Sequence, residues 1–248
     1  VSRDFCNQCD MVIVPTGIIG EYLRRIGVQT QIKKVPTGIK IADFKNGDPA
    51  WLRQRYQIAP GDKILLFVGR LGQEKNIGLL LESFLLVNNE INNTTLVLVG
   101  GGPEAEELRT KANKLGLAGK VIFTGTLSPP EVINCYAGSD LFVFTSVTET
   151  QGIVIAEAKA AGLPVVAVGA NGVSEMVENG LDGYLTEPEP VQFADRICLV
   201  LKNDNLREDL GRKARLSAEE LSSTNCTNRL LCCYSALLEG KDGVVSSQ

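Results

Sequence analysis

Short, unbroken apolar runs recur along the chain: ILLFV at 64–68, TLVLV at 95–99, LFVF at 141–144 and PVVAV at 164–168. Between them lie longer stretches in which apolar residues return every three or four positions. Runs of that length are what strands look like when both faces are buried, and the 3.6-residue rhythm belongs to helices lying on those faces. The pattern predicts strands at 63–68, 95–99, 121–124, 141–144, 164–168 and 183–185, separated by helices at 77–87, 104–115, 130–137 and 153–161 and a short one near 174–177. Such alternation predicts the α/β class, with a doubly wound, Rossmann-like parallel sheet. Three helical segments follow at 192–202, 206–221 and 225–238, and the apolar residues of the last, among them Leu230, Leu231, Leu237 and Leu238, need a surface to cover.

Upstream, the pattern predicts a strand at 11–14, a helix at 18–26 and a strand at 32–35 ended by Pro36 and Gly38, too little for a domain of its own. A polar stretch with Gly47, Pro49, Pro60 and Gly61 around a short helix at 51–56 reads as a connector. The chain thus divides into 1–38, the remnant of a preceding domain, a connector at 39–62, and a ligand-binding domain at 63–248. It enters a strand-like pattern almost at Val1, which predicts a piece of a longer protein.

The glycines locate a ligand edge. Gly69 follows the first strand of the regular series, Gly100 to Gly102 the second, Gly125 the third, the 145–152 loop the fourth, and Gly169 and Gly172 the fifth. Every one of these loops leaves the carboxyl end of its strand, where ligands bind open α/β sheets.

Composition removes several classes of function. With 25 basic and 29 acidic residues and a formal net charge of −4, the chain lacks the basic footprint of a nucleic-acid binder. Its apolar runs fall far short of the ~20 residues of a membrane helix. Seven cysteines, an odd number without framework spacing, point to a reduced, cytoplasmic setting, and the three Asn-X-Ser/Thr matches, at Asn92, Asn93 and Asn225, read as chance. The absence of histidine leaves Cys6-x-x-Cys9 without the partners of a mixed zinc site, so no metal is expected. It also excludes a Ser-His-Asp hydrolase.

Three motifs on the ligand edge carry chemistry. Gly100-Gly101-Gly102-Pro103-Glu104-Ala105 meets the permissive dinucleotide pattern, but Thr124 stands where a ribose-binding acid belongs. Pro103 reads better as the first residue of a helix, with Glu104, Glu106 and Glu107 complementing its dipole and repelling a pyrophosphate. The loop Gly69-Arg70-Leu71-Gly72-Gln73-Glu74-Lys75 is either a solvated turn or a diphosphate clamp, with Arg70 as a fork and Lys75 as a point charge. In TETQGIVIAEAKAAG, at 148–162, a helix starting near Gly152 turns its free N–H groups toward the same edge. Glu157, one turn in on an otherwise apolar helix apart from Lys159, needs strong hydrogen bonds, which a pair of sugar hydroxyls would supply; Glu149 stands nearer the loop tip, placed for a second sugar.

Together these residues resemble the retaining, metal-independent glycosyltransferases of the GT-B class, family 4 (group 1), whose signature is E-x7-E, here Glu149 and Glu157. The resemblance runs from about Val35 to Gly183, through VPTGI, GRLGQEK, VGGGP, GTLSPPEV and EAKAAGLPVV. It implies the C-terminal, nucleotide-sugar half of a two-domain enzyme, preceded by the last strands of an N-terminal acceptor domain. It further implies that Arg70 and Lys75, beside Gly69, hold the diphosphate of a UDP-sugar and that Glu149 contacts the transferred hexose, these three charged groups carrying the catalysis. The backbone of Gln151, Gly152, Ile153 and Val154 would touch the sugar and distal phosphate, Glu157 the ribose hydroxyls and Leu127 the base, with no further cofactor. Two positions depart from the family pattern: Asn76 replaces a frequent glycine, and Thr150-Gln151 lacks the frequent aromatic. The TETQG form is similar to that of diacylglycerol glucosyltransferases, implying UDP-glucose, a lipid acceptor met at the membrane surface through the absent half, and a near-inactive fragment. The alternatives weighed against this are a dinucleotide-binding oxidoreductase domain and a non-catalytic nucleotide- or sugar-binding module.

Overall fold

The computed structural model describes residues 2–245, so the last three residues of the 63–248 domain lie outside the described residues. A short helix, α1 (Ser2–Cys6), which no periodicity announces, precedes β1 (Val12–Val14), α2 (Gly17–Arg25) and β2 (Ile32–Lys34), and the two strands pair in parallel. After α3 (Trp51–Tyr56) the regular series runs β3 (Lys63–Val68), α4 (Ile77–Glu90), β4 (Thr94–Val99), α5 (Ala105–Lys114), β5 (Val121–Gly125), α6 (Pro129–Ala137), β6 (Leu141–Phe144), α7 (Ile153–Ala161), β7 (Val165–Val168) and β8 (Gly183–Thr186). It closes with α8 (Pro190–Leu201), α9 (Asp204–Ala218) and α10 (Ser223–Val245).

The six strands from β3 to β8 form one sheet in the order β5-β4-β3-β6-β7-β8, every pairing parallel. Counted from β3, this is the doubly wound order 3-2-1-4-5-6. The apolar runs are buried as their lack of alternation predicts: 64–68, 96–99, 141–144 and 165–168 form the core, α4 and α8 covering one side and α7 and α9 contributing to the other. Each Leu, Ile, Val or Phe buried there contributes ~1.5–3 kcal/mol relative to exposure, which makes the sheet a rigid platform for its loops. The order reverses between β3 and β6, and the loops leaving those two strands are 69–76 and 145–152.

Local signals set two of the helix starts. Ser128 and Glu131 form a capping box at the start of α6, with proline in its first turn, and the Asn203 side chain accepts from Leu206 N–H at 3.0 Å to open α9. One expectation is corrected: α5 begins at Ala105 with Glu104 as its cap, so Pro103 lies in the preceding turn rather than at the first helical position. The segment near 174–177 forms a 3-10 turn at Asn171–Glu175, and α10 runs beyond the predicted 225–238. Gly38 lets the chain pass the start of α10, where an added Cβ would stand 2.6 Å from Ser223 Cα.

Candidate functional site

The loops at the reversal hold each other. Thr145 and Ser146, both buried, donate through their hydroxyls to Lys75 O at 2.8 Å and Glu74 O at 3.0 Å. This joins the loop carrying Arg70 and Lys75 to the loop carrying Glu149. The Lys75 ammonium pairs with the Glu149 carboxylate, both largely buried, and lies 5.7 Å from the centroid of the Phe144 ring. Asn76 closes the first loop in the left-handed region at φ 51°, a conformation that glycine enters freely and asparagine more readily than other side chains. Its departure from glycine therefore preserves the backbone path. Arg70 is exposed and its guanidinium makes no hydrogen bond or ion pair among the described residues, leaving all its donors available.

The glycine run after β4 braces this loop from below. A Cβ on Gly100 would stand 2.0 Å from Gly69 O and one on Gly102 2.2 Å from Leu71 O, while Leu71 N–H donates to Gly101 O at 2.9 Å. These glycines permit backbone to press on backbone and so form a turn that shapes the Arg70 loop. At the end of β5 the Thr124 hydroxyl donates to Gly125 O at 2.8 Å, with no carboxylate at that position to read a dinucleotide ribose. Leu127, just beyond, is half-buried against the core.

Gly152 caps α7 at φ 79°, and Ile153 and Val154 begin the helix at the mouth of a cavity of about 290 Å³ lined by Gly69, Lys75, Glu149, Gln151 and Gly152 among others. Larger cavities, about 430 Å³ beside Arg207 and Arg215 and about 410 Å³ beside Lys34 and Glu175, lie away from the convergence of β3 and β6. The location of the site follows from the reversal of strand order rather than from volume.

Glu157 lies on α7 half-buried, and its Oε2 accepts from the wholly buried Tyr136 hydroxyl at 2.8 Å. Burial raises the Glu157 carboxyl above the usual carboxylate range, and the Tyr136 bond opposes that rise. Burial first, and the neighbouring carboxylate second, push the Tyr136 hydroxyl well above its ordinary value and keep it a donor. The more deeply buried charge on the same helix is Lys159, which pairs with Asp182 at 2.7 Å and donates to Met176 O at 2.8 Å.

The side chain of Gln151 is held by Thr37, which lines the same cavity. It is 3% exposed, accepts from Thr37 N–H at 2.9 Å and donates to Thr37 O at 3.1 Å, so it ties the loop to the VPTG segment. Thr16 adds a second tie, its hydroxyl donating to Thr150 O at 2.8 Å, and Gly172 N–H a third, to Glu149 O at 2.9 Å. Nearby, Glu175 takes the N–H groups of Gly17 at 3.0 Å and Ile18 at 2.7 Å together with the Lys34 ammonium at 2.5 Å. Burial alone would raise this carboxyl, and these bonds outweigh it to leave it lowered.

The structure thus brings Gly69, Lys75, Glu149, Gln151, Gly152, Ile153 and Val154 around one cavity, with Arg70 on the loop that forms its wall, Glu157 one turn along α7 and Leu127 on the loop leaving β5. Sequence reasoning missed Tyr136, Thr16 and the Lys159–Asp182 pair; a tyrosine inside an ordinary amphipathic helix carries no signal of its own.

Comparison with known proteins accords with this geometry. The family model described as "Glycosyl transferases group 1" matches residues 51–217. The alpha-monoglucosyldiacylglycerol synthase of Streptococcus pneumoniae is 34% identical over 188 residues, 74% of this chain and 43% of that protein. The sulfoquinovosyl transferase SQD2 of Arabidopsis thaliana is 30% identical over 239 residues, 93% of this chain and 45% of that protein. The chain spans about half the length of the curated relatives it matches. Among solved structures, Anabaena Alr3699/HepE in complex with UDP and glucose superposes with a TM-score of 0.88 at 25% identity, over 95% of this chain and 66% of that one. The doubly wound sheet is the C-terminal half of the GT-B fold, and with a family model covering well over half its residues, the chain belongs to the group 1 glycosyl transferases.

Proposed function

We propose that this chain is the donor-binding half of a retaining, metal-independent enzyme that moves a hexose, glucose in the first instance, from a UDP-sugar to a hydroxyl of a diacylglycerol-type lipid. The observation that carries this proposal is the Lys75–Glu149 ion pair at the strand-order reversal. A cation and a carboxylate that neutralise each other in the free protein can each exchange the other for part of one ligand, phosphate oxygens for Lys75 and sugar hydroxyls for Glu149. Arg70 closes on the diphosphate from its exposed loop, the 151–154 backbone meets the sugar and distal phosphate, Glu157 accepts from the ribose hydroxyls and Leu127 lies against the base.

In this mechanism the bond from the anomeric carbon to the phosphate oxygen breaks as the acceptor oxygen bonds to the same face. The departing phosphate takes the acceptor proton, so no side-chain base is needed. Arg70 and Lys75 supply the positive field that stabilises charge on the leaving UDP. Glucose and the lipid acceptor are supported by the name of the Streptococcus pneumoniae alpha-monoglucosyldiacylglycerol synthase and by the complex of the structural relative with UDP and glucose. Residues 1–38 close the acceptor domain in this proposal, 39–62 connect, and 63–248 bind the donor. The whole enzyme works in the cytoplasm, peripheral to the membrane; no helix among the described residues is long and apolar enough to cross one.

Calorimetric titration of the chain with UDP, UDP-glucose and NAD tests the proposal: the two uridine ligands are expected to bind and NAD is not. A folded sample that takes NAD and neither uridine ligand overturns it. Glu149→Ala sharpens the result, because it removes a competitor for Lys75 and a contact to the hexose at once. It is expected to strengthen UDP and weaken UDP-glucose, so that the two affinities change in opposite directions; parallel losses would remove Glu149 from the sugar site.

A further inference from the structure

We infer that Tyr136 is a positioning residue for the nucleotide, its hydroxyl holding one oxygen of Glu157 so that the other is presented to the ribose diol; the inference rests on the ribose role proposed above for Glu157. The geometry is specific. The capping box at Ser128 and Glu131 sets the start of α6, and α6 packs across α7. The Tyr136 ring is wholly buried, edge-on to Phe44 at 5.7 Å and tilted against Phe142 at 5.8 Å, so packing limits how its hydroxyl can swing. The contact from that hydroxyl to Val154 O is 3.4 Å, at the limit of a hydrogen bond, whereas Glu157 Oε2 is at 2.8 Å, so the proton is directed to the carboxylate. Glu157 Oε1 takes no hydrogen bond among the described residues. A carboxylate accepts at four lone-pair sites, so with one occupied by Tyr136 it retains the capacity for two adjacent hydroxyls.

A phenylalanine would fill nearly the same volume, so what the hydroxyl adds is a donor that favours the ionised form of Glu157. The other ionisable groups on the elements packed against α7 are Asp43 and Lys45 on the Ile41–Lys45 turn, Glu131 and Cys135 on α6, and Asp204, Arg207, Glu208, Asp209, Arg212, Lys213 and Arg215 on α9. Lys159, on α7 itself, is engaged by Asp182. Burial raises the Glu157 carboxyl and the Tyr136 bond is what opposes it, so loss of that bond moves protonation to higher pH.

Tyr136→Phe in this chain provides the test, with UDP and 2′-deoxy-UDP titrated from pH 5 to 8. At neutral pH the variant is expected to bind UDP roughly tenfold more weakly, as loss of a hydrogen bond to a charged group implies. The low-pH decline of UDP affinity should move to higher pH, because the bond that opposes the rise of the Glu157 carboxyl is gone. The penalty for omitting the 2′-hydroxyl should shrink, because the diol is no longer read by an oriented carboxylate. Unchanged UDP affinity, or a loss uniform across pH with the 2′-hydroxyl penalty intact, would overturn the positioning role and leave Tyr136 as packing. Should the wild-type chain bind no UDP, the donor proposal fails, and the Glu157 side-chain carboxyl carbon followed by NMR through a pH titration still decides the pairing. Its midpoint is expected to rise in Tyr136→Phe, and an unmoved midpoint refutes the contact.

Discussion

Asp182→Ala is expected to destabilise the fold by about 3–5 kcal/mol, the cost of leaving a buried charge without its partner. Lys159 and Asp182 are 6% and 3% exposed and 2.7 Å apart, so neither retains bulk water to compensate for a lost partner. Asp182 also accepts from Glu178 N–H at 2.9 Å and from the Ser217 hydroxyl at 2.9 Å, which links α7 to the turn before β8 and to α9. In the variant the Lys159 ammonium keeps, among the described residues, Met176 O alone. For a domain of this size the loss corresponds to a fall in Tm of roughly 6–20 °C. The urea midpoint gives the same quantity without heating. The double variant Lys159→Met with Asp182→Leu should recover part of the loss, because it removes the unpaired buried ammonium, while Glu178 N–H still loses its acceptor. An Asp182→Ala protein within 1 kcal/mol of wild type would show that water reaches Lys159 and that the pair is not a structural tie.

The strands were legible because a sheet buried on both faces leaves uninterrupted apolar runs, and the ligand edge because glycines collect where strands deliver their carboxyl ends. Glu149 and Glu157 stood out in the sequence as two acids flanking a helix start, and the structure places them before and on α7. Their partners did not stand out. Tyr136 meets Glu157 across 21 positions of sequence and Thr37 meets Gln151 across 114, distances over which local periodicity carries no information. Gln151 was expected at the sugar through its backbone, an expectation that leaves its side chain free to reach back to the segment before the connector, as it does. The glutamine of the TETQG form therefore has a structural employment that an aromatic residue lacking an amide cannot duplicate. Pro103 was expected at the first helical position of α5, which begins two residues later, because a proline is equally at home in a tight turn and at a helix start.

Glu157→Gln separates binding from folding in one protein. An ionised carboxyl whose folded value is raised is a burden on the fold: between its ordinary value and the raised one the native state holds a proton that the unfolded chain has released, so stability falls as pH rises through that window. Above the window the full burden remains. Glutamine keeps the volume and an oxygen for the Tyr136 hydroxyl without the buried charge, so the variant is expected to be at least as stable as wild type near pH 7.5, with a flatter dependence of Tm on pH. The ligand responds in the opposite sense. Exchanging an acceptor-only carboxylate for an amide that offers donors to a diol is expected to weaken UDP by roughly thirtyfold, about 2 kcal/mol, and Glu157→Ala by roughly a hundredfold. Tm and calorimetric UDP affinity measured on the same sample check both halves. A glutamine variant that loses stability together with affinity would mean that Glu157 supports the helix rather than the nucleotide. A gain in stability beside a loss of UDP affinity places the buried charge in the service of the ligand, in line with the trade between stability and activity common at binding sites.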